Sequence, residues 1–248
     1  MWDDPRALNA TAATLATFAV LLATAAGVAW LVRQPVFAFR EVAIRGNVER
    51  ASAAHLEAVV RGELAGTFFT MNLENSRAAI EAVPWVRTVA LRRQWPRRLE
   101  VTVAEHVPLA RWNDAGLVDV EGEVFVADYD GELPQFTGPD GHSREMAGRY
   151  RQWAAELLPI GLAVAEVRLS PRRAWQLVAH GDAGPLTIEM GREEPGARLA
   201  RFIGAYAKTM AVLARGGTRV EHVDLRYRNG FAARIPGFRE KPQKKKAA

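Results

Sequence analysis

Cysteine is absent from the 248-residue sequence, which rules out a disulfide framework, a thiolate metal site and a cysteine nucleophile, and leaves the redox compartment unread. Histidine is scattered. His55, His106, His142, His180 and His222 offer no His-x-x-x-His and no His-Glu pair at zinc spacing, so they read as solvated or internally satisfied side chains. Neither a Gly-x-Ser-x-Gly elbow nor a phosphate loop occurs. The run Asp128-Tyr129-Asp130-Gly131-Glu132 has the look of half a calcium loop without the remaining series of ligands, and reads as a solvated turn. The sequence therefore offers no catalytic residue, no metal ligand set and no cofactor site.

Acidic partners are also poorly supported. The net charge is +5, but the tail after Phe238 holds Arg239, Lys241, Lys244, Lys245 and Lys246 against Glu240 alone, so the rest of the chain is close to neutral. A nucleic-acid groove needs a basic face on the folded part, and none is evident. One local exception is the corner formed by Arg92, Arg93, Arg97 and Arg98. It reads either as a solvated hairpin tip or as a contact for an anionic membrane surface or acidic partner.

No charged residue lies between Arg6 and Arg33. Residues 10–32 would form a helix of about 35 Å, enough to cross a hydrocarbon core of roughly 30 Å. Its apolar strength comes from Leu15, Phe18, Val20, Leu21, Leu22, Val28, Leu31 and Val32, with Trp30 placed to anchor at an interface. Ala23-Thr24-Ala25 has the small-residue pattern of a signal-peptide cleavage site, but the run stays apolar beyond it and no Lys/Arg cluster precedes it. The expectation is an uncleaved signal anchor. Charge bias, with Arg6 before the span and Arg33, Arg40 and Arg45 after it, would by itself keep the C-terminal side in the cytoplasm.

Beyond Pro35 the pattern is βααββ. Residues 39–44 read as a strand closed by Gly46-Asn47. Ser52 is a candidate cap for a helix carrying Leu56, Val59, Val60 and Leu64, and Asn72 for a second helix burying Leu73, Ile80 and Val83. Pro84 ends it. Leu99, Val101 and Val103 then alternate with Glu100, Thr102 and Ala104, the period of a strand with one buried face. Val89 and Leu91 precede them in an antiparallel partner, across a four-residue corner 95–98 with Pro96 at the second position of a type I turn.

Residues 107–238 read as a second domain. Strands over 117–120 and 123–127 flank Glu121-Gly122. A helix over 144–158 puts Met146, Tyr150, Trp153 and Leu157 on one side. Strands follow over 164–169, 175–179 and 186–190. A long helix after Pro195 then turns Leu199, Phe202, Ile203, Tyr206, Met210 and Leu213 inward. Residues 220–228 and 231–235 flank Asn229-Gly230, the strongest short hairpin signal in the chain. Because Pro236 and Gly237 end the last strand, it is either an ordinary closing hairpin covered by its own domain or an open sheet edge that can accept a strand from another protein. The tail over 238–248 has no apolar pattern and is expected to be disordered.

The βααββ order, with Phe68-Phe69-Thr70-Met71-Asn72-Leu73 and Pro84-Trp85-Val86 around the second helix, resembles a POTRA module. Further motifs extend the likeness in one collinear order. They are Trp95-Pro96, Glu105-His106, Trp112-Asn113, Leu117-Val118-Asp119, Gly122 with Phe125, Trp175-Gln176-Leu177, Arg198-Leu199-Ala200-Arg201-Phe202 and Val223-Asp224-Leu225-Arg226-Tyr227. With them the chain resembles the FtsQ/DivIB division proteins of bacteria over roughly residues 10–236.

The resemblance implies an α+β fold: one N-terminal transmembrane helix, a βααββ POTRA module, and a larger mixed α/β C-terminal domain ending in an edge β-hairpin. It implies domains at 1–9 (cytoplasmic tail), 10–33 (anchor), 37–107 (POTRA), 108–237 (C-terminal domain) and 238–248 (tail). It also implies a single-pass inner-membrane protein with a periplasmic body at the division septum, acting as a scaffold rather than an enzyme. The implied partners are FtsB, itself bound to FtsL in an FtsQBL complex, and other divisome membrane proteins. Their implied contact surface is Arg172, Arg226, Tyr227, Asn229 and Gly230, continued by the strand Phe231, Ala232, Ala233 and Arg234. Phe231 is bulkier than the small residue of the family pattern. Another membrane-anchored POTRA protein, serving secretion or outer-membrane assembly, is the competing class.

Overall fold

The computed structural model describes residues 5–46, 48–51, 53–63, 66–114, 116–214, 220–228 and 230–235. Asn47, the expected cap Ser52, Leu64, Asn229 and residues 236–248 lie outside them, as do the side chains of Met210 and Leu213. The chain divides into two compact units, Met1–His106 and Val107–Ala248.

The first unit begins with helix α1, Pro5–Val32, whose residues 8–32 are long and apolar enough to cross a membrane. A helix in hydrocarbon must satisfy its polar atoms internally. Thr11, Thr14, Thr17 and Thr24 do so by donating their hydroxyls to carbonyls three or four residues back, at 2.8–3.1 Å. Strand β1 (Glu41–Arg45), helices α2 (Ala53–Glu63) and α3 (Leu73–Glu81), and strands β2 (Val86–Gln94) and β3 (Arg98–Glu105) follow. The sheet order is β1-β3-β2, with β1 parallel and β2 antiparallel to β3.

Leu99, Val101 and Val103 are all buried, packed with Val86, Val89, Leu56, Val60 and Ile80, as the alternation predicts. Asn72 caps α3, its Oδ1 accepting from the N–H groups of Glu74 and Asn75 at 3.1 and 3.3 Å. Gly46 has φ 114°, and a Cβ there would stand 2.0 Å from the Val103 carbonyl oxygen, so the exit from β1 requires glycine. The β2–β3 corner is shorter than expected. Gln94 pairs directly with Arg98 across Trp95, Pro96 and Arg97, and the Trp95–Pro96 peptide is cis in place of the type I turn. Arg98 belongs to the ladder, which removes one residue from the loop.

The second unit is built on a nine-stranded sheet. Its strands are β4 (Pro108–Trp112), β5 (Gly116–Asp119), β6 (Val124–Phe125), β7 (Gln135–Thr137), β8 (Ala163–Leu169), β9 (Trp175–Gly181), β10 (Gly184–Gly191), β11 (His222–Asp224) and β12 (Ala232–Arg234). They lie in the order β12-β11-β10-β9-β8-β7-β4-β5-β6, with parallel contacts of β7 to β4 and β8 and of β10 to β11. Helices α4 (Ser143–Leu157) and α5 (Pro195–Ala214) share one core with the sheet. From α4, Met146, Trp153 and Leu157 are fully buried and Tyr150 is half-buried. From α5, Leu199 and Phe202 are fully buried, with Ile203 and Tyr206 at the margin. The Trp153 and Trp175 rings meet edge to face at 5.1 Å.

Candidate functional site

The end of the second unit differs from the rest of its sheet. Strand β11 has neighbours on both sides and carries Val223 into the core, with the buried Leu225 just beyond it. Strand β12 is the terminal strand, and Ala232, Ala233 and Arg234 are all exposed. The expected strands over 220–228 and 231–235 thus shrink to three residues each.

The register also corrects the sequence reading. His222 pairs with Arg234, Val223 with Ala233 and Asp224 with Ala232, leaving 225–231 as the connection rather than a two-residue Asn229-Gly230 turn. The cause is visible at Leu225. Its N–H donates to the Glu189 carbonyl of β10 at 2.8 Å, so the chain keeps its parallel partner while leaving the antiparallel one. Asp224 then turns the chain: its carboxylate accepts from the Arg226 N–H at 2.9 Å and from the Arg226 guanidinium at 2.6 and 2.8 Å.

The hydrogen bonds also fix which backbone groups face outward. Thr187 N–H donates to the Glu221 carbonyl at 2.9 Å, and Leu225 donates to Glu189, so alternate residues of β11 from Glu221 face β10. By alternation His222 and Asp224 face β12, and their register partners Arg234 and Ala232 point inward. The Arg234 carbonyl does point inward, accepting from the Glu221 N–H at 3.3 Å; Glu221, just ahead of β11, turns its carbonyl to β10 and its N–H to β12. Ala233 falls between them, with N–H and C=O directed away from the sheet. Phe231, on the core-facing side, packs its ring edge to face on Phe202 at 5.6 Å. Its bulk is used inside the domain.

Arg172 and Arg226, far apart in sequence, line one cleft of about 480 Å³ together with Ser170, Gly191, Arg192 and Arg198. Arg172 sits on the turn between β8 and β9, which Ser170 closes by donating its N–H to the Ala174 carbonyl and accepting the Ala174 N–H on its hydroxyl, both at 2.9 Å. Among the described residues no side chain pairs with Arg172. Gly191 has φ 75°, and a Cβ there would lie 2.8 Å from an Arg198 guanidinium nitrogen and 3.1 Å from Arg226 Cγ, so the glycine lets these arginines converge. Arg198 donates to the Met190 carbonyl at 2.8 Å.

Arg226 is held differently from Arg172. Besides Asp224 it lies 3.4 Å from Glu189, whose carboxylate is 3.7 Å from His222. The Arg226 hydrogen bond holds the Asp224 carboxyl below the usual carboxylate range, and the same pair raises the guanidinium further. Tyr227 is 57% exposed, and Arg228 and Gly230 are exposed too. Asn229 lies outside the described residues.

Sequence reasoning missed Arg192, Gly191 and Glu189 as parts of this corner. Arg198 and Asp224 stood inside quoted motifs without an assigned role. The half calcium loop has a different explanation: Arg111 donates to the Tyr129 and Gly131 carbonyls at 2.9 and 3.2 Å, so an arginine holds that turn. Chemically the corner offers guanidinium groups, one exposed aromatic ring and one outward-facing peptide, which suits recognition of an acidic or extended segment.

Comparison with known proteins agrees with this architecture. Residues 110–226 match the family described as "Cell division protein FtsQ/DivIB, C-terminal", and residues 37–106 match "POTRA domain, FtsQ-type". The chain is 41% identical over 247 residues to the cell division protein FtsQ of Burkholderia pseudomallei, covering 96% of each chain. It is 40% identical over 240 residues to that of Nitrosospira multiformis, covering 94% of this chain and 99% of the relative. With FtsQ of Bordetella pertussis the identity is 36%, over 94% of this chain and 92% of the relative.

Proposed function

Since the chain belongs to the FtsQ/DivIB family of bacterial cell-division proteins, we propose that it is a non-enzymatic scaffold of the divisome that binds the FtsB–FtsL pair by strand addition at β12. In this reading residues 1–9 are a cytoplasmic tail, 10–33 an uncleaved inner-membrane anchor, 37–107 the POTRA domain, 108–237 the periplasmic partner-binding domain and 238–248 a basic tail. The protein then links early to late division proteins at the septum.

The observation that carries the reading is the terminal strand with exposed side chains, whose register with β11 turns the N–H and C=O of Ala233 outward by alternation. An extended partner segment can continue the sheet there through main-chain hydrogen bonds. Arg172 and Arg226 are the cationic contacts in this scheme and Tyr227 the aromatic anchor, with Gly230, Phe231, Ala232, Ala233 and Arg234 forming the edge; Asn229, outside the described residues, belongs to the proposed contact set by sequence alone. Arg226 already has intramolecular carboxylate partners, so Arg172 is the arginine free to take a partner carboxylate.

The test is a proline scan of the full chain against purified FtsB–FtsL. Ala233→Pro removes only an outward N–H, and the domain should stay folded while binding is lost. Ala232→Pro and Arg234→Pro remove inward N–H groups and should loosen the hairpin itself. Tyr227→Ala should weaken binding by about 2 kcal/mol, roughly thirtyfold, with the fold intact. Unchanged binding by both Ala233→Pro and Tyr227→Ala would end the strand-addition scheme.

A further inference from the structure

The first unit carries a surface that the scaffold role does not use. After α1 the chain continues through a single 3-10 turn, Pro35–Phe37, and is pinned at once to the turn ahead of α3. The Thr67 hydroxyl donates to the Val32 carbonyl at 2.6 Å, Phe68 N–H donates to the Phe37 carbonyl at 2.8 Å, and Ala38 and Thr67 form an isolated bridge. The last carbonyls of a helix lack intrahelical partners, and here Thr67 supplies one. The segment 67–70 is thereby held at the level where α1 ends.

Four aromatic rings gather at that level. Phe37 meets Phe69 at 5.3 Å, Phe68 meets Phe69 at 5.2 Å, and Trp95, from the β2–β3 corner, stands edge to face on Phe68 at 5.5 Å. The cluster is not closed over: Trp95 is 67% and Phe69 48% exposed, with Val36 exposed beside them. A patch of this kind on a folded module marks a contact surface. Arg33 and Arg40 are exposed nearby, and the Arg40 N–H donates to the Arg97 carbonyl at 3.0 Å. Among the described residues no carboxylate pairs with Arg33, Arg40 or Arg97. Arg93 and Arg98 of the same corner are engaged, with the Met71 carbonyl and Glu41 respectively.

We propose that this face lies in the phospholipid headgroup layer of the leaflet from which α1 emerges. Phe69 and Trp95 enter the interface, and Arg33, Arg40 and Arg97 meet lipid phosphates. The inference rests on the membrane-anchored reading of α1. The occupant follows from continuity with the span, from Trp30 exposed two residues before its end, and from aromatic rings rimmed by unpaired guanidinium groups, the composition that favours a bilayer interface. The module is then seated on the membrane rather than swinging on a free tether.

Because the chain lacks cysteine, single-cysteine variants can each carry one fluorophore on the full protein in vesicles of phosphatidylethanolamine and phosphatidylglycerol. Phe69→Cys and Trp95→Cys report on the proposed face, Leu21→Cys on the middle of the span, and Ala104→Cys on the far part of β3, about 20 Å along the strand from the corner. Lipids brominated near the headgroup should quench labels at 69 and 95, lipids brominated deep in the chain should quench the label at 21, and neither should quench the label at 104. Replacing phosphatidylglycerol with phosphatidylcholine should reduce quenching at 69 and 95 by about twofold or more, since the arginine contribution depends on anionic lipid. If the label at 21 is quenched while those at 69 and 95 behave like that at 104, the face lies in water and the proposal is overturned, as it is if those positions become shielded only when other membrane proteins are present. If the label at 21 is not quenched either, the anchor reading fails together with the proposal.

Discussion

Two of the antiparallel hairpins, β2–β3 and β11–β12, differ in what their strands bury. In β2–β3 the ladder runs from Val86 paired with Glu105 to Gln94 paired with Arg98, and Leu99, Val101, Val103, Val86 and Val89 are all at most 4% exposed. In β11–β12 three pairs suffice, and no side chain of β12 is buried. Each fully buried Val or Leu stabilises by about 1.5–3 kcal/mol, and a one-residue slip would turn all of them to solvent. The first hairpin therefore has its register dictated from within. The second borrows its register from β10 and from the Asp224–Arg226 pair, and its outer strand keeps an unpaired edge. A strand that contributes little to its own core is free to contribute to another protein's sheet.

The sharpest way to break this contrast is to place a charge in each face of β3. Val101→Asp buries a carboxylate with no partner and should cost several kcal/mol, comparable to the whole stability of a small domain. Thr102→Asp, on the exposed face, should cost under about 1 kcal/mol. Hydrogen exchange on the full chain, read separately for the two units, should show the first unit opening in Val101→Asp while β8–β10 stay protected. Equal opening by both substitutions would mean that the inward face has been assigned wrongly.

A smaller effect is expected at the second hairpin. Phe231 and Ile235 flank β12 and both pack against the core, Phe231 through the Phe202 ring. Since Phe231 is half-buried, Phe231→Ala should cost about 2 kcal/mol, below the range for a fully buried ring. The loss should appear as faster exchange confined to 222–235, with the midpoint of global unfolding nearly unchanged. A lowered midpoint for the whole unit would make β12 part of the core and remove the distinction drawn between the hairpins.

What could be read from the sequence follows the same division. The inward set of β3, the Asn72 cap, and the stripe of Met146, Tyr150, Trp153 and Leu157 on α4 were legible, because period and capping are local properties. The length of the last strands and the turn between them were not. Asn229-Gly230 is a strong hairpin signal, but the connection is set by Leu225 bonding to Glu189, a partner on the other side of α5. Local sequence carries no code for that parallel pairing. Likewise Arg172 and Arg226 could be named singly, but the cleft needs Gly191, Arg192 and Arg198, which only the sheet order brings beside them. At the β2–β3 corner the error was one residue, because nothing local says that Arg98 already pairs with Gln94.

The last and smallest expected effect separates the two sources of register in the second hairpin. Asp224 has its carboxyl held below the usual range, chiefly by the hydrogen bond from Arg226, with burial opposing. A group with a depressed folded-state pKa contributes stability that is fully present above its unfolded value, about 4 for aspartate, and is lost as pH falls through the lower folded value. The clamp should therefore hold at neutral pH and loosen only in acid. Asp224→Asn keeps an acceptor but removes the charge, and should cost about 0.2–1 kcal/mol, the range for partly solvated pairs. Glu189, 3.4 Å from Arg226, and His222, 3.7 Å from Glu189, remain nearby, so part of the attraction on the guanidinium survives. Amide exchange at Arg226 and Ala232, followed between pH 7 and pH 3, should rise in acid beyond the intrinsic rate change for the unaltered chain. In Asp224→Asn it should already be raised at pH 7, with a flatter dependence below. If the substitution leaves both amides as protected as before, the Leu225–Glu189 bond alone sets where the chain leaves the ladder.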